Sequence, residues 1–231
     1  MKGEYLMKQN KFITVLTLIL TLSLSVFGNF TVAEAKAKST PSADGYIQLL
    51  AYDKDGYINW SNSKYIYVGK NMEESETVSE IEGISYNKDN NTLTISDYSN
   101  PKTGITIANM GTSFKIEVVG SKNSLQNITS FNNLTINGSG KLTINSNKKC
   151  NNGGILVSSD SSAVKITFAK SVKVKSYGQK YADSLCVVST TKKLSKAIIK
   201  KGGSMTKCVA DGKSESGARR YICKKSKFEK K

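Results

Sequence analysis

The chain contains no histidine. Every mechanism that depends on an imidazole is thereby excluded: a Ser-His-Asp triad, a Cys-His dyad, an H-E-x-x-H zinc site and a Cys₂His₂ finger. Proline occurs twice in 231 residues, which removes collagen-like and proline-rich linker readings. There is one tryptophan, Trp60. No C-x-x-C pair occurs among the four cysteines, so neither a redox motif nor a zinc ribbon is expected. Acids are scarce in the middle of the chain: residues 123–182 hold a single one, Asp160. Hydrophobic residues at 38% and charged residues at 23% still describe a foldable chain, neither disordered nor a multi-span membrane protein.

The first 37 residues read as an export signal. Lys2, Lys8 and Lys11 form a positive start, Phe12 to Phe27 is an apolar run, and Ala35-Lys36-Ala37 offers small residues for cleavage. Met7 opens a more compact version of the same signal. The run falls short of the roughly 20 residues of a bilayer crossing and is interrupted by Thr and Ser. A secreted or extracellular product, with no transmembrane anchor once the signal is removed, is expected. An exported chain with Cys150, Cys186, Cys208 and Cys223 suggests two disulfides, with three connectivities open; buried free thiols are the alternative.

The net charge of +16 is concentrated at one end. Residues 191–231 hold 12 Lys, 2 Arg and 3 acids, whereas 38–190 are nearly balanced. A basic segment of this kind attracts polyanions. Arg219, Arg220, Lys224, Lys225 and Lys227 are the candidate polyanion contacts, and a solubilising end cap is the plainer alternative. No basic, aromatic-interleaved pattern points to nucleic acid.

Between the ends, short stretches alternate apolar and polar residues, as in Leu93-Thr94-Ile95, Leu134-Thr135-Ile136, Leu142-Thr143-Ile144 and Val172-Lys173-Val174. Alternation sends the apolar set to one face of a strand. No segment before residue 190 has a helical period. The stretches recur: Leu125, Ile155 and Leu185 are 30 apart, as are Leu134, Val164 and Leu194, Ile136 and Ile166, Leu142 and Val172, and Ile144 and Val174. An upstream row fits with small slips, Ile105 preceding Leu134 by 29 and Phe114 preceding Leu142 by 28. A fixed period with about three strands per unit predicts an all-β right-handed parallel β-helix, a β-solenoid with coils of about 30 residues. Turns are expected at Asn137-Gly138, Gly140, Gly153-Gly154 and Gly178. The organisation predicted is a signal peptide (1–37), an N-terminal β cap or small module (38–82), the repeat (83–200) and a basic, Cys-containing C-terminal cap (201–231).

The tracts Ile84 to Tyr98, Asn109-Met110-Gly111, Phe114 to Gly120 and Leu134 to Ile144 carry a resemblance. Over about 80–190 the chain resembles secreted Firmicutes proteins described as carbohydrate-binding-domain-containing or right-handed β-helix repeat proteins. The resemblance implies the fold and a loose association with carbohydrate. It carries over no catalytic residue, and the basic tail departs from it.

Chemistry finds little support. Glycoside hydrolysis usually needs two carboxylates about 5–10 Å apart, and the 30-residue spacing brings no pair together. Asp89 beside Asn90-Asn91 reads as turn chemistry. The acids Glu73, Glu74, Glu76, Glu80 and Glu82 lack a ligand-loop pattern with a central glycine, so no metal and no cofactor are expected. No enzyme is predicted. Binding is the better reading: Tyr57, Trp60, Tyr65 and Tyr67 cluster in sequence, and sugars bind aromatic platforms beside polar groups. If Ile66 and Val68 face the core, Tyr65 and Tyr67 share an exposed face. The competing reading is that these aromatics cover the open end of the solenoid. Two functions follow: a secreted, non-catalytic cell-surface protein that binds glycan or an anionic wall polymer, or a structural, adhesin-like protein acting through protein contacts. A polysaccharide-active enzyme is the weakest of the alternatives.

Overall fold

The computed structural model describes residues 40–72, 78–146, 153–159, 162–178, 183–189, 199–200, 209–213, 219–222 and 227–230. The export signal, three of the four cysteines (Cys150, Cys208, Cys223) and Lys224 and Lys225 lie outside these. Ser39–Lys231 is one compact unit. Among the described residues every regular element is a strand, as the period-2 pattern requires.

The strands in chain order are β1 (Tyr46–Tyr52), β2 (Ile58–Val68), β3 (Ile84–Asn87), β4 (Thr92–Ser96), β5 (Thr103–Ala108) and β6 (Ser113–Val119). Then come β7 (Asn123–Leu125), β8 (Ile128–Ser130), β9 (Asn133–Gly138), β10 (Lys141–Ile144), β11 (Ile155–Ser158) and β12 (Ile166–Phe168). The last six are β13 (Lys173–Tyr177), β14 (Leu185–Ser189), β15 (Ile199–Lys200), β16 (Val209–Lys213), β17 (Arg219–Ile222) and β18 (Lys227–Lys230). They make three sheets. The first runs β16-β17-β14-β11-β8-β5-β1-β2, the second β15-β12-β9-β6-β4-β3 and the third β18-β13-β10-β7. From β6 to β15 the chain visits the second, third and first sheets in unbroken rotation.

Pairing is parallel along β5-β8-β11-β14, β4-β6-β9-β12-β15 and β7-β10-β13. At the margins it turns antiparallel: β1 on β5, β3 on β4, β17 on β14 and β18 on β13. Apolar residues stack in register on the inner faces. Ile105, Ile128, Ile155 and Leu185 form one such row, Phe114, Leu134 and Ile166 another, all almost fully buried. Each such side chain contributes about 1.5–3 kcal/mol by leaving water.

The register differs from the uniform 30-residue spacing. Ile155 does face Leu185, 30 positions on. Leu142, however, faces Val174 and Ile136 faces Phe168, 32 positions on in both sheets. Leu125 is not in the row of Ile155; it lies opposite Ile144, and Ile128 takes its place. Upstream, Ile105 faces Ile128 and Phe114 faces Leu134, so these rows are shorter, at 23 and 20 residues. The added length of the later rows falls between the described ends of β10 and β11 and of β11 and β12. Connections absorb length changes that a ladder cannot. A slip of two leaves every side chain on its original face, and so Ile136, Leu142, Ile144, Ile166, Val172 and Val174 are buried as predicted. Leu194 lies outside the described residues.

The corners are held by asparagine. Asn91 and Asn132 are buried, and their amides donate to Met110 O and Ser113 O and to Gly111 O, respectively. Asn123 accepts from Tyr98 N at 3.0 Å and donates to Val119 O and Lys141 O at 2.8 and 3.1 Å, joining three rows. Asn91, Asp97, Asn109 and Asn145 adopt left-handed backbone conformations, which short polar side chains tolerate better than others. The turn expected at Asn137-Gly138 lies just beyond them: both residues end β9, opposite Glu117 and Val118, and the chain bends at Ser139-Gly140. Gly138 has φ +99°, and a Cβ there would sit 2.1 Å from Val118 O.

Candidate functional site

The N-terminal hairpin is built on a tight turn. Asp53 accepts from Asp55 N at 2.8 Å and Tyr57 N at 2.9 Å, and Gly56 supplies φ +88°. The hydrogen bond from Tyr57, ahead of those from Asp55 and Gly56, holds the Asp53 carboxyl below its usual pKa. β1 runs antiparallel along β5 from Tyr46↔Ala108 to Ala51↔Thr103. Tyr52, at its end, donates its hydroxyl to the buried Asn127 at 3.1 Å. The hairpin is thus tied to the first sheet at both backbone and side-chain level.

β2 does not follow β1 evenly. Leu49 pairs with Lys64 and Ala51 with Asn59, so residues 60–63 stand opposite Leu50 alone. The displaced segment is braced from within. The Ser63 hydroxyl accepts from Ala51 N at 3.1 Å and donates to Asn59 O at 2.9 Å, and Asn59 accepts from Asn62 N at 3.3 Å. The bulge carries Trp60, which is 67% exposed, and Tyr57 before it is 66% exposed. A large aromatic held in water on a hydrogen-bonded bulge gains nothing from burial there.

A second irregularity separates Tyr65 from Tyr67. Tyr67 pairs with Ile47 and Tyr65 with Gln48, which leaves Ile66 as an extra residue. Partners across a ladder share a face, so the two tyrosines face opposite sides. Ile66 is buried, as expected, but the common exposed face for Tyr65 and Tyr67 does not form. Tyr67 packs inward on Tyr86 at 5.1 Å, and Tyr86 stacks on the buried Phe114. Burial, with a smaller contribution from Tyr67, pushes the Tyr86 hydroxyl pKa up. Tyr65 meets Tyr46 edge-on at 6.0 Å. Of the four aromatics, then, Tyr67 covers the body, Tyr65 pairs with Tyr46 on the other face, and Tyr57 and Trp60 face water.

Beside the bulge lies a cleft of about 910 Å³ that sequence reading did not reveal. One wall is the hairpin, with Leu49, Ala51, Asn62 and Lys64; the other is 81–83 and the turn from Ser96 to Asn100. The turn is rigidly made. Asp97 has φ +49° and accepts from Ser121 N and Lys122 N at 2.9 and 3.2 Å. Ser99 and Ser124 share a hydroxyl–hydroxyl bond of 2.9 Å, and Asn100 accepts from Lys102 N at 3.1 Å. Asp97 is therefore committed to the turn. The two walls are some 35 residues apart in sequence, so no local motif marks the cleft; the Trp-Ser-Asn-Ser run, a poor strand sequence, was its only local sign.

The other candidates are placed as follows. Arg219 and Arg220 lie on β17 opposite Ser189 and Val188, and Lys227 lies on β18 opposite Tyr177. Cys186 is buried on β14. Among the described residues there is no cluster of three metal-ligating side chains, and no helix is long and apolar enough to cross a membrane. Of the acid group at 73–82, the described members are Glu80 and Glu82, and Glu82 lines the cleft. No family model matches the sequence, and no curated protein or solved structure shows significant similarity to it.

Proposed function

We propose that the chain is an exported, non-catalytic binding protein of the bacterial cell surface that holds carbohydrate or an anionic wall polymer. The observation that carries this reading is the braced bulge that keeps Trp60 in water, three residues along the chain from the exposed Tyr57. Indole and phenol rings stack on the apolar faces of sugars, and neighbouring polar groups fix orientation. The scaffold in this reading is a right-handed parallel β-helix. The rotation of the chain through three sheets and the parallel stacking of inner rows support it. The hairpin β1–β2 caps one end and the basic segment the other. The resemblance over 80–190 to secreted carbohydrate-binding-domain-containing proteins points the same way.

The basic segment supplies the second half of the proposal. Net charge over 191–231 suits wall polymers that carry phosphate or carboxylate. Pull-down of residues 38–231 on purified wall, chitin, cellulose and a host glycan panel, at low and high salt, tests both halves. Salt-resistant capture that Trp60→Ala abolishes identifies the aromatic surface as the binding element. Salt-sensitive capture, lost when Arg219 and Arg220 are replaced by Gln, assigns binding to the basic segment. Capture by none of these supports refutes the binding function and leaves a structural, adhesin-like role.

A further inference from the structure

The proposed function leaves open whether the hairpin region takes a neutral glycan or an acidic polymer. The cleft decides between them. Its charged lining is one cation, Lys64, and two acids, Glu82 and Asp97. Asp97 is engaged by two backbone amides, but its negative charge remains in the wall. A polyanion entering the cleft would meet a net negative lining, which opposes it. A ligand of hydroxyl groups meets a different surface: the amide of Asn62, the ammonium of Lys64, the Ser99 hydroxyl and the Asn100 amide. The ring of Tyr98, half-buried against the core, supplies an apolar wall. About 910 Å³ lies at the upper end of the range of roughly 300–1,000 Å³ seen for ligand sites. That is room for several linked sugar units, not one.

Resting on the carbohydrate reading above, we infer that this cleft is the binding site for an uncharged oligosaccharide, with Trp60 on the adjoining bulge as its outer stacking surface. Asn62 and Lys64 are the groups added by the bulge. Both are exposed, and among the described residues neither side chain serves the fold through a hydrogen bond or ion pair. Their removal therefore reads out binding and not folding. Glu82, also exposed, is the selectivity element, because its charge repels carboxylated or phosphorylated ligands.

Titration calorimetry of the full chain with neutral hexasaccharides (from chitin, cellulose and xylan) and with an oligogalacturonate tests this. Thermal unfolding of each variant confirms that it is folded. At least one neutral hexasaccharide is expected to bind. Asn62→Ala and Lys64→Ala should each weaken it about tenfold, the scale of one good polar contact. Glu82→Gln should raise the affinity for oligogalacturonate severalfold relative to that for the neutral hexasaccharide. Neutral binding lost in Trp60→Ala but unchanged in both cleft variants overturns the cleft while leaving the carbohydrate reading standing. Preference for oligogalacturonate that persists when Arg219 and Arg220 are replaced by Gln, and that Asn62→Ala and Lys64→Ala weaken, overturns the neutral class. Binding of no oligosaccharide refutes the carbohydrate reading and the cleft with it.

Discussion

The two ends of the sheets meet the same problem in different ways. A stack of parallel strands ends in an open edge that invites further pairing. At the N-terminal margin β1 runs antiparallel along β5, but its partner β2 breaks register twice and puts Trp60 in water. At the C-terminal margin β18 runs antiparallel along β13 and turns its side chains inward. Phe228 is fully buried against Phe168 at 5.1 Å. Lys230 is buried too, its ammonium donating to Lys170 O at 2.9 Å and Val172 O at 3.1 Å. Between them Glu229 faces outward to Lys175 at 3.6 Å. Among the described residues, β18 closes an edge with buried side chains, and the β1–β2 margin closes an edge and also presents aromatics and a cleft. The contrast is one of burial: β18 turns Phe228 and Lys230 into the body, and β2 leaves Trp60 in water.

The strongest way to break this comparison is Phe228→Ala. Loss of a fully buried aromatic typically costs about 3–5 kcal/mol, and urea unfolding should show a loss in that range. A loss under about 1 kcal/mol would mean that β18 is not docked as described. A smaller effect concerns Lys230. Burial, with Lys173 adding to it, holds its amine below the usual 10.5. Below the folded pKa both states are protonated and the penalty for burying the charge is present in full. Between the folded and unfolded values the unfolded chain binds more protons, so stability rises with pH there. Urea unfolding of the native chain and Lys230→Met from about pH 7 to about pH 10.5 should show the native chain gaining on the variant. A constant difference across that range would contradict the buried ammonium.

The smallest expected change is at the other margin. Trp60→Ala should alter unfolding free energy by no more than about 0.5 kcal/mol, as for an exposed residue. Tyr67→Ala, which empties the contact with Tyr86, should cost clearly more. Equal losses from the two would erase the distinction between the aromatic that covers the body and the one that faces solvent.

Much of the body was legible from residue order alone. Alternation marked Leu93, Ile95, Leu134, Ile136, Leu142 and Ile144 as inward-facing, and all are buried. The spacing was less faithful. A two-residue slip is invisible to a pattern with period two, so Leu142 could be assigned to Val172 instead of Val174 with no inside–outside conflict. The buried asparagines were also hidden. A polar residue between apolar stretches looks like an exposed turn, and only its partners across rows, as for Asn123, reveal that it is enclosed.

At the candidate site the division falls between Trp60 and its neighbours. Sequence picked out the aromatic cluster because the single tryptophan lies close to three tyrosines. It placed Tyr65 and Tyr67 on one face because unbroken alternation requires it, and the bulge at Ile66 breaks the alternation. Lys227 to Lys230 read as a charged end, yet pairing with β13 buries Phe228 and Lys230.

What residue order determined by itself was the strand content and the inner face of each strand, since both follow from local alternation and β propensity. Tertiary structure alone decided the register between rows, the positions of the bulges and the cleft lined by Asn62 and Lys64. Those features depend on hydrogen bonds between segments distant in sequence, which local preferences do not encode.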